Sequence, residues 1–69
     1  MHNKFSERLY ELRTENNITR KELANKLNVT PRLISYWENN ERECSFDMLL
    51  LISEILTVSV DYLLGKTDY

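Results

Sequence analysis

The sequence predicts an all-α fold, a compact bundle of five short helices, and three observations carry that prediction. Thr19, Thr30, Ser45 and Ser59 each stand where a helix can begin, because a short side-chain oxygen there accepts from the unpaired N–H groups of a first helical turn. After each start, apolar residues recur at intervals of three and four, the mark of one buried helical face. The stretches between are short, as neighbouring helices of one bundle require. One glycine and one proline complete the picture of an ordered, helix-rich globule, with no strand, repeat or low-complexity tract.

Taken in order, the first helix buries Phe5, Leu9 and Leu12, with Asn3 as its cap. The second starts at Thr19, where Glu22 completes a capping box, and turns Leu23, Ala24 and Leu27 inward. Thr30 opens the third, and Pro31 takes the first helical position, where a missing N–H costs nothing; Ile34 and Trp37 face the core. Ser45 and Ser59 open the fourth and fifth, each followed by an aspartate, Asp47 or Asp61, near the positive end of the helix. Their inward sets are Phe46, Leu49, Ile52 and Leu56, then Val60, Leu63 and Leu64.

A chain of 69 residues holds one domain, residues 1–69, with a modest core. Cys44 is the only cysteine, so no internal disulfide can form, and a chain this small without bridges is expected in the cytoplasm. Residues 1–15 lack the apolar run of a signal peptide, and no window is apolar enough to span a membrane, so neither secretion nor insertion is expected. His2 is the only histidine. With Cys44 it makes neither a catalytic constellation nor a metal site, and no glycine-rich phosphate loop exists, so no enzyme, metal or cofactor is expected. A redox role for Cys44 stays open.

The net charge of −2 argues against a nucleic-acid partner when taken as an average. Its distribution argues the other way. Residues 13–42 carry Arg13, Arg20, Lys21, Lys26, Arg32 and Arg42 against Glu15, Glu22, Glu38 and Glu41, whereas from Glu43 onward only Lys66 offsets the carboxylates.

Within that basic middle, Ile18 to Glu38 sets out a short helix, a turn at Asn28 and Val29, and a second helix opening at Pro31. This is the spacing of a helix-turn-helix at about 19–39, formed by helices two and three. Spacing alone is a moderate signal. The residues go further: Lys21-Glu22-Leu23-Ala24-Asn25-Lys26-Leu27, Val29-Thr30, Ile34-Ser35-Tyr36-Trp37-Glu38 and Val58-Ser59-Val60-Asp61-Tyr62-Leu63-Leu64-Gly65 resemble the Xre and Cro-like family of repressors, from about Phe5 to Gly65. The resemblance implies a lambda-repressor-like DNA-binding domain in a transcriptional regulator, a repressor, whose third helix reads the major groove of a double-stranded operator. In this family a second domain often follows a segment like Leu64-Gly65-Lys66-Thr67-Asp68, so a complete small regulator and one domain of a longer protein are both open.

The chain departs from the family where glycine is usual at three junctions and Asn28, Asn40 and Thr57 stand instead. Asparagine tolerates a left-handed backbone. Threonine is β-branched and strained there, so a different junction is expected before the fifth helix. Arg20 replaces a usual glutamine, and Glu43-Cys44 replaces a basic-proline pair.

Turned at about 100 degrees per residue with Ile34 inward, the third helix leaves Arg32, Ser35, Tyr36 and Asn39 on its far side. The resemblance implies base contacts by Pro31, Arg32, Ser35 and Tyr36, with Arg32 able to bond guanine bidentately. Phosphate contacts are expected from Arg20, Thr30, Asn39 and Arg42. Arg32 and Tyr36 also have the plain reading of solvated surface residues, and capping alone accounts for Thr30 and Asn39. Glu38 falls beside Ile34, where a lone carboxylate is costly and needs a cation; the resemblance points to Arg13 as partner in a structural ion pair.

The fourth helix carries a second apolar flank, Met48, Leu51 and Ile55, which with Tyr62 suggests a homodimer interface. Its plain reading is that Ile55 joins the core and the others are isolated exposed side chains. The rival function is a helix-turn-helix protein-interaction module of antitoxin or anti-repressor type with little affinity for DNA, which the net acidity favours. The operator sequence and any inducer or anti-repressor partner are not legible.

Overall fold

The computed structural model describes residues 3–68 as helices α1 (Phe5–Glu15), α2 (Arg20–Leu27), α3 (Pro31–Glu38), α4 (Phe46–Leu56) and α5 (Val60–Leu64). Helix α3 packs on α1 and α2, α4 rests on α2, and α5 closes the bundle against α1 and α4. The hydroxyls of Thr30, Ser45 and Ser59 accept from the N–H groups of Leu33, Met48 and Tyr62. Thr19 and Glu22 form the reciprocal capping box, and the Thr19 bonds hold the Glu22 carboxyl below the usual carboxylate range. The cap position of α1 is Lys4, one residue later than the expected Asn3, yet Asn3 Oδ1 still accepts from the Phe5 N–H at 2.9 Å.

All five helices stop by one device. A residue with positive φ turns the chain, its N–H returns to the carbonyl three back, and the next N–H returns to the carbonyl five back. The turning residues are Asn17, Asn28, Asn40, Thr57 and Gly65. Where the following residue is apolar, Ile18, Val29 or Val58, it folds back onto the core.

Thr57 therefore departs from expectation: the junction before α5 keeps the left-handed turn, with φ 58 and ψ 47 on a β-branched residue. The bond from the Val58 N–H to the Ser53 carbonyl at 3.0 Å and the packing of Val58 hold it there. Such a conformation costs an ordinary L residue roughly 1–2 kcal/mol. Thr57→Gly is expected to stabilise the domain by about 1 kcal/mol, raising its melting temperature by roughly 4–8 °C in a thermal scan. An unchanged or lower melting temperature would show that the turn is unstrained.

The core is Phe5, Leu9 and Leu12 from α1, Leu23, Ala24 and Leu27 from α2, Ile34 and Trp37 from α3, Leu49, Ile52 and Leu56 from α4, and Leu63 from α5. Phe5 meets Trp37 edge to face, with ring centroids 6.3 Å apart. One expectation fails here. Phe46 is 85% exposed rather than inward, because with Leu49, Ile52 and Leu56 facing the core the first residue of α4 points about 90 degrees away. Cys44, in the loop between α3 and α4, is buried against the core, and that burial pushes its thiol up to about 12. A redox role loses its basis, since the thiolate is the reactive form. Among the described residues no helix is long and apolar enough to cross a membrane.

Candidate nucleic-acid interface

Helix α3 is held by its buried side and presents the other. Ile34 and Trp37 anchor it, while Pro31 and Arg32 at its start are exposed and Ser35 and Tyr36 are half-buried beside them. Thr30 caps the helix from the same edge, and its hydroxyl accepts from Leu33 N–H at 3.3 Å while its own proton remains to donate. Asn39 ends the helix in the open. The first turn of α3 is therefore a polar, reachable prominence, with Arg32 at its tip.

Glu38 fixes the rotation of this helix. Its carboxylate, 2% exposed, receives Arg13 Nε at 2.6 Å and Arg13 Nη2 at 3.1 Å, a bidentate pair joining α3 to α1. The third donor nitrogen, Arg13 Nη1, bonds the Ile18 carbonyl at 2.9 Å, so each of the three guanidinium nitrogens donates. The hydrogen bonds that Arg13 donates to the Glu38 carboxylate raise the pKa of Arg13 above its usual value.

A second arginine joins that carboxylate. Arg20, the first residue of α2, places Nε 3.0 Å from Glu38 Oε1 while its side chain stays 43% exposed. The residue expected to anchor phosphate thus leans on α3 through one nitrogen, and its Nη nitrogens make no hydrogen bond among the described residues. Nothing in residue spacing marks this contact; the depth of Glu38, which accommodates more than one cation, is the signal that could have found it.

Past α3, the left-handed turn at Asn40 reverses the chain, and Arg42 returns over the outward side of α3. Its guanidinium carbon sits 4.5 Å from the centre of the Tyr36 ring. Two residues nominated for separate roles are brought together. Glu41 and Glu43 are exposed on either side of Arg42 in sequence, and neither pairs with it among the described residues.

The nominated dimer flank is partly taken up by the chain's own core. Met48, Ile55 and Tyr62 pack partly against the chain's own core, and the Tyr62 ring is covered by the Arg8 guanidinium at 4.1 Å. Leu51 stays 41% exposed, and the larger exposed apolar residues of α4 are Phe46 and Leu50, which lie on the other side of Asp47 and Glu54. Among the described residues no cluster of histidine, cysteine or carboxylates could hold a metal; His2 lies outside them.

Comparison with known proteins agrees with this geometry. The profile of the helix-turn-helix family matches residues 9–63. The HTH-type transcriptional regulator ImmR of Bacillus subtilis (strain 168) is 43% identical over 88% of this chain and 48% of its own length. The HTH-type transcriptional activator BcrR of Enterococcus faecalis is 38% identical over 93% of this chain and 31% of its own. The chain thus spans half or less of these two relatives. Among solved structures, the P22 c2 repressor in complex with a synthetic operator superposes with a TM-score of 0.85 at 33% identity, covering 91% of this chain and 96% of that one. Hydroxypropylphosphonic acid epoxidase from S. wedmorenis contains the same fold, with a TM-score of 0.83 at 30% identity, over 91% of this chain but 34% of the epoxidase.

Proposed function

The chain belongs to the Xre/Cro-like helix-turn-helix family of transcriptional regulators, and from that premise we propose that it is a sequence-specific repressor whose α3 enters the major groove of an operator. The observation that carries this reading is the exposed first turn of α3, Pro31 and Arg32 with Ser35 and Tyr36 beside them, on a helix clamped by the buried Glu38. Arg32 bonds a guanine edge through two nitrogens, and Tyr36 lies against a thymine methyl. Arg20, whose Nη nitrogens make no hydrogen bond among the described residues, holds the flanking phosphates with Thr30, Asn39 and Arg42. The P22 c2 repressor, almost wholly covered by this fold, supports the operator and the repressor role; BcrR, an activator, has the lower coverage of its own length.

Two recognition helices address half-sites roughly 34 Å apart if the chain forms a two-fold dimer. Leu51 is the centre of the α4 surface proposed for that contact, with the uncovered parts of Met48, Ile55 and Tyr62 at its rim.

Selection of sites from random duplex DNA tests the function. Enrichment of an inverted repeat is the expected result, with a dimer in sedimentation that Leu51→Glu dissociates. Enrichment of a single half-site with a monomer at high micromolar concentration removes the dimer alone. No enrichment removes the DNA reading and leaves the protein-interaction module, which the exposed Phe46 and the acidic second half of the chain would then serve.

A further inference from the structure

We infer that Arg42 is a positioning residue for base reading: stacked on Tyr36, it holds that ring in the orientation with which α3 meets the groove. The inference rests on the DNA-binding reading above and assigns Arg42 a role that a phosphate contact does not include.

The backbone makes the stack possible. Tyr36 is the helix residue whose carbonyl receives the returning Glu41 N–H, at 2.8 Å, while the Asn40 N–H returns to Trp37 at 3.2 Å. These two bonds, with Asn40 at φ 60, fix the reversal, so the residue after Glu41 emerges above the residue that anchors the turn. That residue is Arg42, and its guanidinium carbon lies 4.5 Å from the Tyr36 ring centre. A planar cation over a ring is attracted by the ring's electron-rich face.

The rest of the surroundings leave Tyr36 in need of such a brace. It is half-buried on the outward side of α3, and the core residues Ile34 and Trp37 point the other way. Without a neighbour on its open face, the ring is free to change rotamer in water. With Arg42 on one face, only the opposite face and the edge with the hydroxyl remain for a base. The guanidinium keeps donors for a phosphate while it stacks, so one side chain couples backbone register to base contact. Lysine shares the charge of arginine but not its planar stack, which separates the two roles.

The experiment measures binding of the wild type, Arg42→Lys, Tyr36→Ala and the double variant to the duplex enriched from random DNA and to all its single-base changes. Melting curves verify that each variant is folded. A positioning role predicts that Arg42→Lys loses about fivefold in preference at the same base pair that Tyr36→Ala affects. It also predicts a double variant no less selective there than Tyr36→Ala alone. A phosphate role alone predicts that Arg42→Lys shifts every duplex equally, and that result overturns the inference while the DNA-binding reading stands. If no duplex is enriched, that reading falls and the inference falls with it.

Discussion

Glu38→Ala is expected to destabilise the domain by about 3–5 kcal/mol, the largest effect of any single side chain outside the apolar core. The substitution leaves the Arg13 guanidinium, whose side chain is 9% exposed, with only the Ile18 carbonyl as acceptor. A buried cation without a counter-charge is among the costliest defects a small core can hold. Arg13→Ala should cost less, about 3 kcal/mol, because Glu38 keeps Arg20 Nε at 3.0 Å while the Ile18 carbonyl loses its donor. Arg20→Ala should cost under about 1 kcal/mol, since that arginine is 43% exposed and its pairing is screened by water. Urea denaturation of the three variants gives the order. A domain of this size has a total stability of only a few kcal/mol, so Glu38→Ala is best measured in the cold. An order in which Arg20→Ala equals or exceeds Arg13→Ala would mean that the exposed arginine, not the buried one, is the principal partner of Glu38.

The fold was legible because its signals are local. Hydroxyl caps, a capping box and three- and four-residue spacing each act within one turn of helix, and Thr19, Thr30, Ser45 and Ser59 cap as their sequence neighbours imply. Phe46 was misread because spacing counts a residue as inward when it matches a periodic set, although the first residue of a helix can sit a quarter-turn from the face it precedes. Thr57 shows the opposite limit: local propensity disfavoured the left-handed turn, and the Val58 N–H bond with the packing of Val58 overrode it. The site divides the same way. The outward face of α3 follows from helical geometry and the Arg13–Glu38 pair from the family resemblance, but the arrival of Arg20 at Glu38, and of Arg42 at Tyr36, depends on how helices and a loop meet. Cys44 lies in the same category, since no pattern around it distinguishes an exposed loop thiol from a buried one.

Arg32→Ala is the variant expected to change function most while leaving the fold intact. Arg32 is exposed in the first turn of α3 and makes no hydrogen bond or ion pair among the described residues, so truncation removes nothing the bundle depends on. A guanidinium bonded through two nitrogens to guanine discriminates against the wrong base by about 1–3 kcal/mol, roughly 5- to 150-fold in affinity. The variant should therefore lose its preference at one G·C pair in each half-site and bind the remaining single-base changes with unaltered ranking. Arg20→Ala is the control that separates reading from anchoring. It should weaken binding to every duplex alike and make the dependence of log K on log salt shallower by about one per protomer, the signature of a lost phosphate contact. Arg32→Ala should alter that slope little if its nitrogens are spent on a base. If instead Arg32→Ala flattens the slope and lowers all affinities together, Arg32 is a phosphate anchor, and base discrimination rests with Ser35 and Tyr36. The stack of Arg42 on Tyr36 would then be the principal determinant of sequence preference in this helix.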